Sequence, residues 1–266
     1  MLSQSRISLF CAAGVLLASA GMAQATTIYS DSLSGSDTAP LTGTTPATDT
    51  TAAKWTLNGA VGDGFYADGL TPGSTGGNYT YSINYLPYNT GTNLIAAGNI
   101  YTVSAVLSPT SGATGNWLAM GFLDGGSLFN NATKTSGPWM LLTDAGQTQT
   151  FGGPGVNNQY AAGTTNGNVT GGTAEVVLNT SSAQWTTQWL YEAPSATSFT
   201  SLGTYTYAAG ANPTTLGGVG IADYQSAPGQ IQNFQFTSVA TPEPATFGIF
   251  GIGIAGLLLL KKRRTA

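Results

Sequence analysis

The stretch IYTVSAVL, residues 100–107, decides the fold class, because its apolar side chains recur at every second position. Tyr101, Val103, Ala105 and Leu107 fall on one face, and the residues between them fall on the other. A period of two is typical of a β-strand that buries one face. The stretch therefore predicts a strand packed on a core.

Short runs of the same kind recur between residues 26 and 240, separated by clusters of Gly, Pro, Asn, Asp and Ser. No helical periodicity persists there for more than a turn or two. Thirteen short strands without intervening helices predict one antiparallel β-sandwich. The predicted strands are 27–33, 54–57, 64–67, 79–85, 100–107, 116–123, 139–143, 148–151, 174–178, 184–191, 199–207, 218–223 and 230–238.

The composition narrows the chemistry that such a sandwich can perform. The chain of 266 residues has seven Lys and Arg, eleven Asp and Glu, one Cys and no His. Without His, Ser-His-Asp or Cys-His catalysis and a His-ligated metal are excluded. A single Cys excludes an internal disulfide. Between residues 26 and 240 only Lys54 and Lys134 oppose ten carboxylates, a balance that excludes nucleic acid as a partner.

The first 25 residues have the layout of a secretory signal peptide. Arg6 precedes an apolar run over residues 7–18, and Ala23 and Ala25 form an A-x-A cleavage site. We therefore predict cleavage after Ala25. The alternatives are a buried N-terminal helix and an uncleaved anchor.

The last 26 residues, 241–266, contain a proline motif, an apolar run and a basic tail. Fourteen apolar or Gly residues, 247–260, give about 21 Å of helix, and we predict a transmembrane helix over residues 246–260. The basic tail, residues 261–264, marks the cytoplasmic side. The motif is Pro242, Glu243 and Pro244; the cations are Lys261, Lys262, Arg263 and Arg264.

This three-part C-terminus, paired with a signal peptide, resembles the PEP-CTERM sorting signal of Gram-negative bacteria that make exopolysaccharide. The resemblance implies recognition near Pro242, Glu243 and Pro244 by an exosortase, a membrane protease-transpeptidase. The protein would then pass from the inner membrane to the cell surface or the extracellular matrix. The alternative is a plain C-terminal membrane anchor.

Scattered positions in the middle of the chain also resemble the concanavalin A-like, laminin G-type jelly rolls of other PEP-CTERM proteins. In that fold the first and last strands pair, which suits a domain filling residues 26–240. The competing folds are a different jelly roll and an immunoglobulin-like sandwich. The matching stretches are 29–33, 41–46, Trp55, 117–122 and 229–236.

No catalytic residues are predicted. Glycoside hydrolysis needs two facing carboxyls, and the Glu-x-Asp-x-x-Glu pattern of glucanases with this fold is missing. A pair distant in sequence, such as Glu175 with Glu192, stays open. We therefore expect a non-enzymatic protein that associates with exopolysaccharide, binds glycans or has a structural role in the envelope. The alternative is a polysaccharide-acting hydrolase or lyase.

Two kinds of binding site remain as weaker expectations. No metal site is predicted, but calcium is the metal that the available oxygen ligands would suit. Trp185 and Trp189 share a strand face, as do Tyr79, Tyr81 and Tyr85, and such rings form either a glycan platform or part of the core. The calcium candidates are Asp63, Asp68, Asp124 and Asp223.

Overall fold

The computed structural model describes residues 24–36, 39–57, 65–70, 81–87, 95–110, 117–124, 137–152, 159–160, 171–224 and 229–241. These residues form fourteen β-strands and no helix. The predicted signal helix and transmembrane helix lie outside them. Among the described segments no helix has the length and hydrophobicity needed to cross a membrane.

The strands follow one another along the chain with no other regular element between them in the described parts. They are β1 (Thr26–Asp31), β2 (Thr48–Asp49), β3 (Thr56–Leu57), β4 (Tyr81–Pro87), β5 (Asn99–Pro109), β6 (Trp117–Asp124), β7 (Trp139–Thr143), β8 (Thr148–Phe151), β9 (Gln159–Tyr160), β10 (Gly172–Asn179), β11 (Thr186–Glu192), β12 (Thr200–Thr206), β13 (Leu216–Tyr224) and β14 (Gly229–Ala240). The predicted strand at 64–67 is replaced by one isolated bridge, between Pro40 and Tyr66.

Two seven-stranded antiparallel sheets form the fold. The first sheet has the order β12-β11-β10-β5-β14-β1-β2, and the second has the order β3-β4-β13-β6-β7-β8-β9. The all-β antiparallel sandwich predicted from the sequence is confirmed. The described residues between Thr26 and Val239 form one compact unit.

The core lies between the sheets and follows the predicted alternation. In β5 every second side chain from Tyr101 to Leu107 is buried, and the residues that alternate with them are half-exposed. In β6 the side chains of Met120 and Phe122 reach the same core from the second sheet. Burial of these apolar side chains is the main favourable contribution to folding.

Phe236 of β14 joins the two sheets through aromatic contacts. Its ring centroid lies 5.9 Å from that of Tyr29 on β1 and 6.0 Å from that of Tyr101 on β5. Across the core it lies 5.9 Å from Phe122 of β6, in an edge-to-face arrangement. Offset and edge-to-face ring pairs contribute beyond the area that they bury.

The second sheet is buried on both faces. Every residue of β7 is buried, whereas strands of the first sheet alternate between buried and half-exposed residues. The outward side chains form a second apolar cluster, in which the rings of Trp139 and Phe151 stack 3.9 Å apart and Trp117 stacks on Tyr224. Gly121 has φ +152°, and a Cβ there would lie 2.6 Å from the Trp139 Cα, so only glycine fits opposite the Trp139 backbone.

Strand β1 pairs with β14 antiparallel, with Tyr29 opposite Phe236 and Asp31 opposite Phe234. The pairing of first and last strands that the fold resemblance implies is therefore present. On its other side β1 pairs with the short strand β2.

Replacement of Phe236 tests the central place of its ring. Phe236→Ala should lower the free energy of unfolding by about 3–5 kcal/mol, because it leaves a cavity where both sheets meet. Urea denaturation followed by circular dichroism measures the loss. The matched control is Phe199→Ala, since Phe199 is 37% exposed, and it should change stability by less than about 0.5 kcal/mol. Equal losses in the two variants would contradict this assignment of the core.

Candidate functional site

Of the residues predicted for signal cleavage and for C-terminal sorting, only Ala25 lies among the described residues. Among the predicted signal-cleavage residues, Ala25 is described and immediately precedes β1. At the other end the last described residue is Thr241, one position after β14. The residues outside the described ranges are Ala23, Pro242, Glu243, Pro244, Lys261, Lys262, Arg263 and Arg264.

The tryptophans belong to the apolar clusters, not to an exposed platform. Trp185 and Trp189 do share a face, as predicted, but that face is the core: they are 6% and 0% exposed. The Trp189 indole donates a hydrogen bond to the backbone carbonyl of Trp139, 3.1 Å away across the sandwich. Trp55, Trp117 and Trp139 are buried as well.

The predicted tyrosine face is described only at Tyr85. Its ring is half-buried and packs against the outer cluster of the second sheet. The side chains of Tyr79 and Tyr81 lie outside the described parts.

The calcium candidates are not brought together where they are described. Asp68 accepts a hydrogen bond from the backbone N–H of Leu70 at 3.0 Å, which is a local turn contact. Asp223 is buried in β13. Asp63 and the side chain of Asp124 lie outside the described residues. Within those residues no group of three or more Asp, Glu, Cys or His side chains gathers.

Glu175 and Glu192 are neighbours on the outward face of the first sheet. Glu175 of β10 lies opposite Leu190 of β11, and Glu192 lies opposite Thr173, so the two glutamates are diagonal across the strand pair. Burial raises the pKa of the Glu175 carboxyl above its ordinary value, and the adjacent Glu192 carboxylate raises it further. The sequence alone did not show that these carboxyls approach each other.

A polar cavity opens beyond the end of β1, with a volume of about 250 Å³. Its polar wall consists of the Asp31 carboxylate and the residues Ser32, Ser34, Thr44 and Thr45. Asp31 is the last residue of β1, Ser32 and Ser34 follow it, and the two threonines come from the loop before β2. The cavity therefore combines one carboxylate with four hydroxyl-bearing side chains.

The apolar part of the cavity comes from Leu41 and Ala67. Backbone hydrogen bonds hold its three segments together: Gly35 N–H donates to the Ala67 carbonyl at 3.1 Å, and Leu41 N–H donates to the Phe65 carbonyl at 2.8 Å. A Cβ at Gly35 would lie 2.7 Å from the Ala67 Cβ, so glycine permits this close approach.

The Asp31 carboxylate is fixed by two hydrogen bonds from the protein. The Trp55 indole N–H donates to Oδ2 at 2.8 Å, and the Leu33 backbone N–H donates to Oδ1 at 3.0 Å. Trp55 is itself held in the core, edge-to-face with Phe234 at 5.1 Å. Because a carboxylate has about four lone-pair positions, two acceptor positions remain after these contacts.

The sequence stretches at 29–33 and 41–46, with Trp55, resemble a known fold, and nothing in them alone indicates a cavity. The lining residues come from three separate segments, so no linear spacing relates them. The only local signal is the density of hydroxyl residues around one carboxylate, which is weak in a chain this rich in Ser and Thr.

Comparison with protein families finds one match, to the PEP-CTERM protein-sorting motif, over residues 240–264. The match covers the C-terminal segment. It indicates an exported protein with a membrane-associated C-terminal sorting signal. Comparison with curated proteins finds no match.

Solved structures similar to this chain include carbohydrate-binding proteins. Lectin I from Ulex europaeus, solved with the methyl glycoside of α-L-fucose, is 13% identical, with 82% of this chain and 98% of that chain covered and a TM-score of 0.43. The carbohydrate recognition domain of Emp46p, in a metal-free form, is 12% identical, with 71% and 89% covered and a TM-score of 0.42. Likeness at this level is not evidence of a shared ligand.

The Glu175 environment predicts a pH-dependent stability. Because its pKa is raised in the folded state, Glu175 binds its proton more tightly there, and its contribution to stability is lost as the pH rises through that raised pKa. Glu175→Gln should therefore raise the melting temperature at pH 7 and change it little at pH 4. Thermal denaturation at both pH values measures the difference.

The matched control is Glu192→Gln, which leaves Glu175 half-buried and removes only the repulsion from its neighbour. It should give a smaller gain at pH 7 than Glu175→Gln does. An equal melting-temperature shift for Glu175→Gln at both pH values would show that the carboxyl is not perturbed.

Proposed function

We propose that this chain is an exported protein that an exosortase sorts through residues 241–266 to the cell surface or the extracellular matrix of a Gram-negative bacterium. In this proposal residues 1–25 are a signal peptide, residues 26–240 are the mature sandwich, and residues 246–260 cross the inner membrane before processing. The role of the sandwich is non-enzymatic association with exopolysaccharide or another glycan.

The observation that carries the sorting proposal is the match to the sorting motif over residues 240–264. Pro242, Glu243 and Pro244 fall at its start, and the four cations fall at its end. Two prolines around one carboxylate favour an extended backbone, which a processing enzyme can read. The sandwich ends its last strand at Ala240, so the motif follows the folded domain directly.

The glycan part of the proposal is supported by the surface chemistry of the sandwich. Among the described residues the only cation is Lys54, which is exposed, so contacts to anionic polymers have little electrostatic support. The polar side chains of the described residues are mostly those of Ser, Thr, Asn and Gln. These groups suit the hydroxyls of neutral glycans.

The hydrolase alternative is less well supported. It needs two carboxyls facing each other across a bound sugar. Among the described residues that line the cavity beyond β1, Asp31 is the one that carries a carboxylate. Glu175 and Glu192 are close to each other but lie on the outward face of a sheet, side by side on adjacent strands.

Removal of the proline motif tests the sorting proposal. In a Gram-negative host that carries an exosortase, the mature wild-type protein should end near Pro242–Thr246 when its intact mass is measured. Replacing Pro242, Glu243 and Pro244 together by alanine should leave the full-length tail in the membrane fraction, because the processing enzyme loses the segment that it reads. The fraction of released protein should fall at least tenfold.

The matched control conserves the charge of the tail. Lys261→Arg with Lys262→Arg leaves four cations on the cytoplasmic side, so release should stay at the wild-type level. Recovery of wild-type protein at the cell surface with its tail intact through Ala266 would overturn the sorting proposal.

A further inference from the structure

We propose that the cavity beyond β1 is a binding site for one neutral sugar residue, with the Asp31 carboxylate as its principal acceptor. The inference rests on the glycan part of the proposed function and gives it a location. It concerns the cavity lined by Asp31, Ser32, Ser34, Thr44 and Thr45 on the polar side and by Leu41 and Ala67 on the apolar side.

The two sides of the cavity match the two kinds of surface on a sugar. A pyranose ring has hydroxyls around its edge and C–H groups on its faces. The carboxylate of Asp31 accepts hydrogen bonds from hydroxyl donors, and a charged acceptor makes them shorter and stronger than a neutral one does. The Thr44 hydroxyl donates to the Leu41 carbonyl at 2.7 Å and so offers a sugar only acceptor positions, whereas Ser32 and Ser34 share one hydrogen bond at 2.7 Å and keep one hydroxyl proton between them for a ligand. Leu41 and Ala67 offer a small apolar contact.

The charge of the cavity selects against acidic sugars. Asp31 is the one charged residue in the described part of the lining, and Lys54, the only cation among the described residues, is not part of that lining. An anionic ligand would approach a carboxylate of the same sign without a cation to compensate it, which costs binding free energy. The site therefore takes neutral hexoses and excludes uronic acids.

The acceptor is held in position before any ligand arrives. The Trp55 indole and the Leu33 amide each occupy one lone pair of the Asp31 carboxylate, at 2.8 Å and 3.0 Å. The backbone N–H of Trp55 donates a second hydrogen bond, to the Thr44 carbonyl at 2.9 Å. This bond ties the core tryptophan to the loop that contains Thr44 and Thr45. A preorganised acceptor lowers the ordering cost of binding.

The volume limits the ligand to about one sugar unit. At about 250 Å³ the cavity is smaller than the roughly 300–1,000 Å³ of sites that enclose drug-sized molecules. It is open to solvent on one side, and Ser32, Ser34 and Thr45 at its rim are exposed. A terminal or branch residue of a polysaccharide can therefore enter while the rest of the polymer stays outside.

The test measures binding of simple glycosides to the full-length protein in detergent. The probes are the methyl glycosides of glucose, galactose, mannose and N-acetylglucosamine, with methyl glucuronide as the acidic member and calcium chloride alone as the metal control. Ligand-observed NMR and calorimetry measure the dissociation constants. At least one neutral glycoside should bind, and methyl glucuronide should bind at least tenfold more weakly than methyl glucoside or not at all.

Two variants locate the site. Asp31→Asn keeps the shape of the side chain and removes its charge, and it should weaken binding at least tenfold. Thr45→Trp places a large ring at the rim of the cavity from an exposed position and should abolish binding without lowering the melting temperature. Thr204→Trp is the matched control, because Thr204 is an exposed threonine on β12, and it should bind like wild type.

The outcomes separate this inference from the broader proposal. Binding of a neutral glycoside that Asp31→Asn and Thr45→Trp leave unchanged would overturn the site and keep glycan association. Binding of none of the glycosides would overturn the site together with the glycan role, while the sorting proposal is judged separately by intact mass. Equal binding of methyl glucoside and methyl glucuronide, or calcium binding alone, would overturn the site. If Asp31→Asn does not fold, Thr45→Trp decides.

Discussion

The antiparallel pairing of β1 with β14 is the contact on which the rest of this structure depends. It places Tyr29 opposite Phe236, and the Phe236 ring then contacts both sheets. It also holds Asp31 at the end of a strand that has neighbours on both sides, β14 and β2. The position of the polar cavity is therefore fixed by the same backbone hydrogen bonds that complete the first sheet.

The two sheets differ in how much of their outward face is exposed to solvent. The first sheet buries one face, and its outward residues are mostly Thr, Ser and Gln with the glutamate pair. The second sheet buries both faces, with Trp117, Trp139 and Phe151 in the outer cluster. Aromatic rings that would otherwise serve as glycan platforms are used for packing. Polar recognition is then left to loops at the ends of the strands, where the Asp31 cavity lies.

The sequence predicts where the strands lie better than it predicts which of their faces are buried and which side chains meet in space. The alternation in 100–107 is read correctly, because a half-buried strand leaves a period of two. The unbroken run WMLLT at 139–143 has no such period, since both of its faces are buried. The contact of Asp31 with Trp55 depends on tertiary pairing and leaves no spacing to read. The sorting motif, by contrast, can be predicted from the sequence, because its three parts follow one another along the chain.

The pairing of the first strand with the last has a consequence for the order of events during synthesis. Thr26 lies opposite Ser238, so the first strand to emerge is completed by the last one. Contacts between such distant parts of a chain form slowly. Until β14 is present, the backbone edge of β1 that pairs with it has no partner strand and is open to proteases and to association with other chains. The vulnerable interval of this protein is thus set by the arrival of its C-terminal strand, independently of how stable the finished sandwich is.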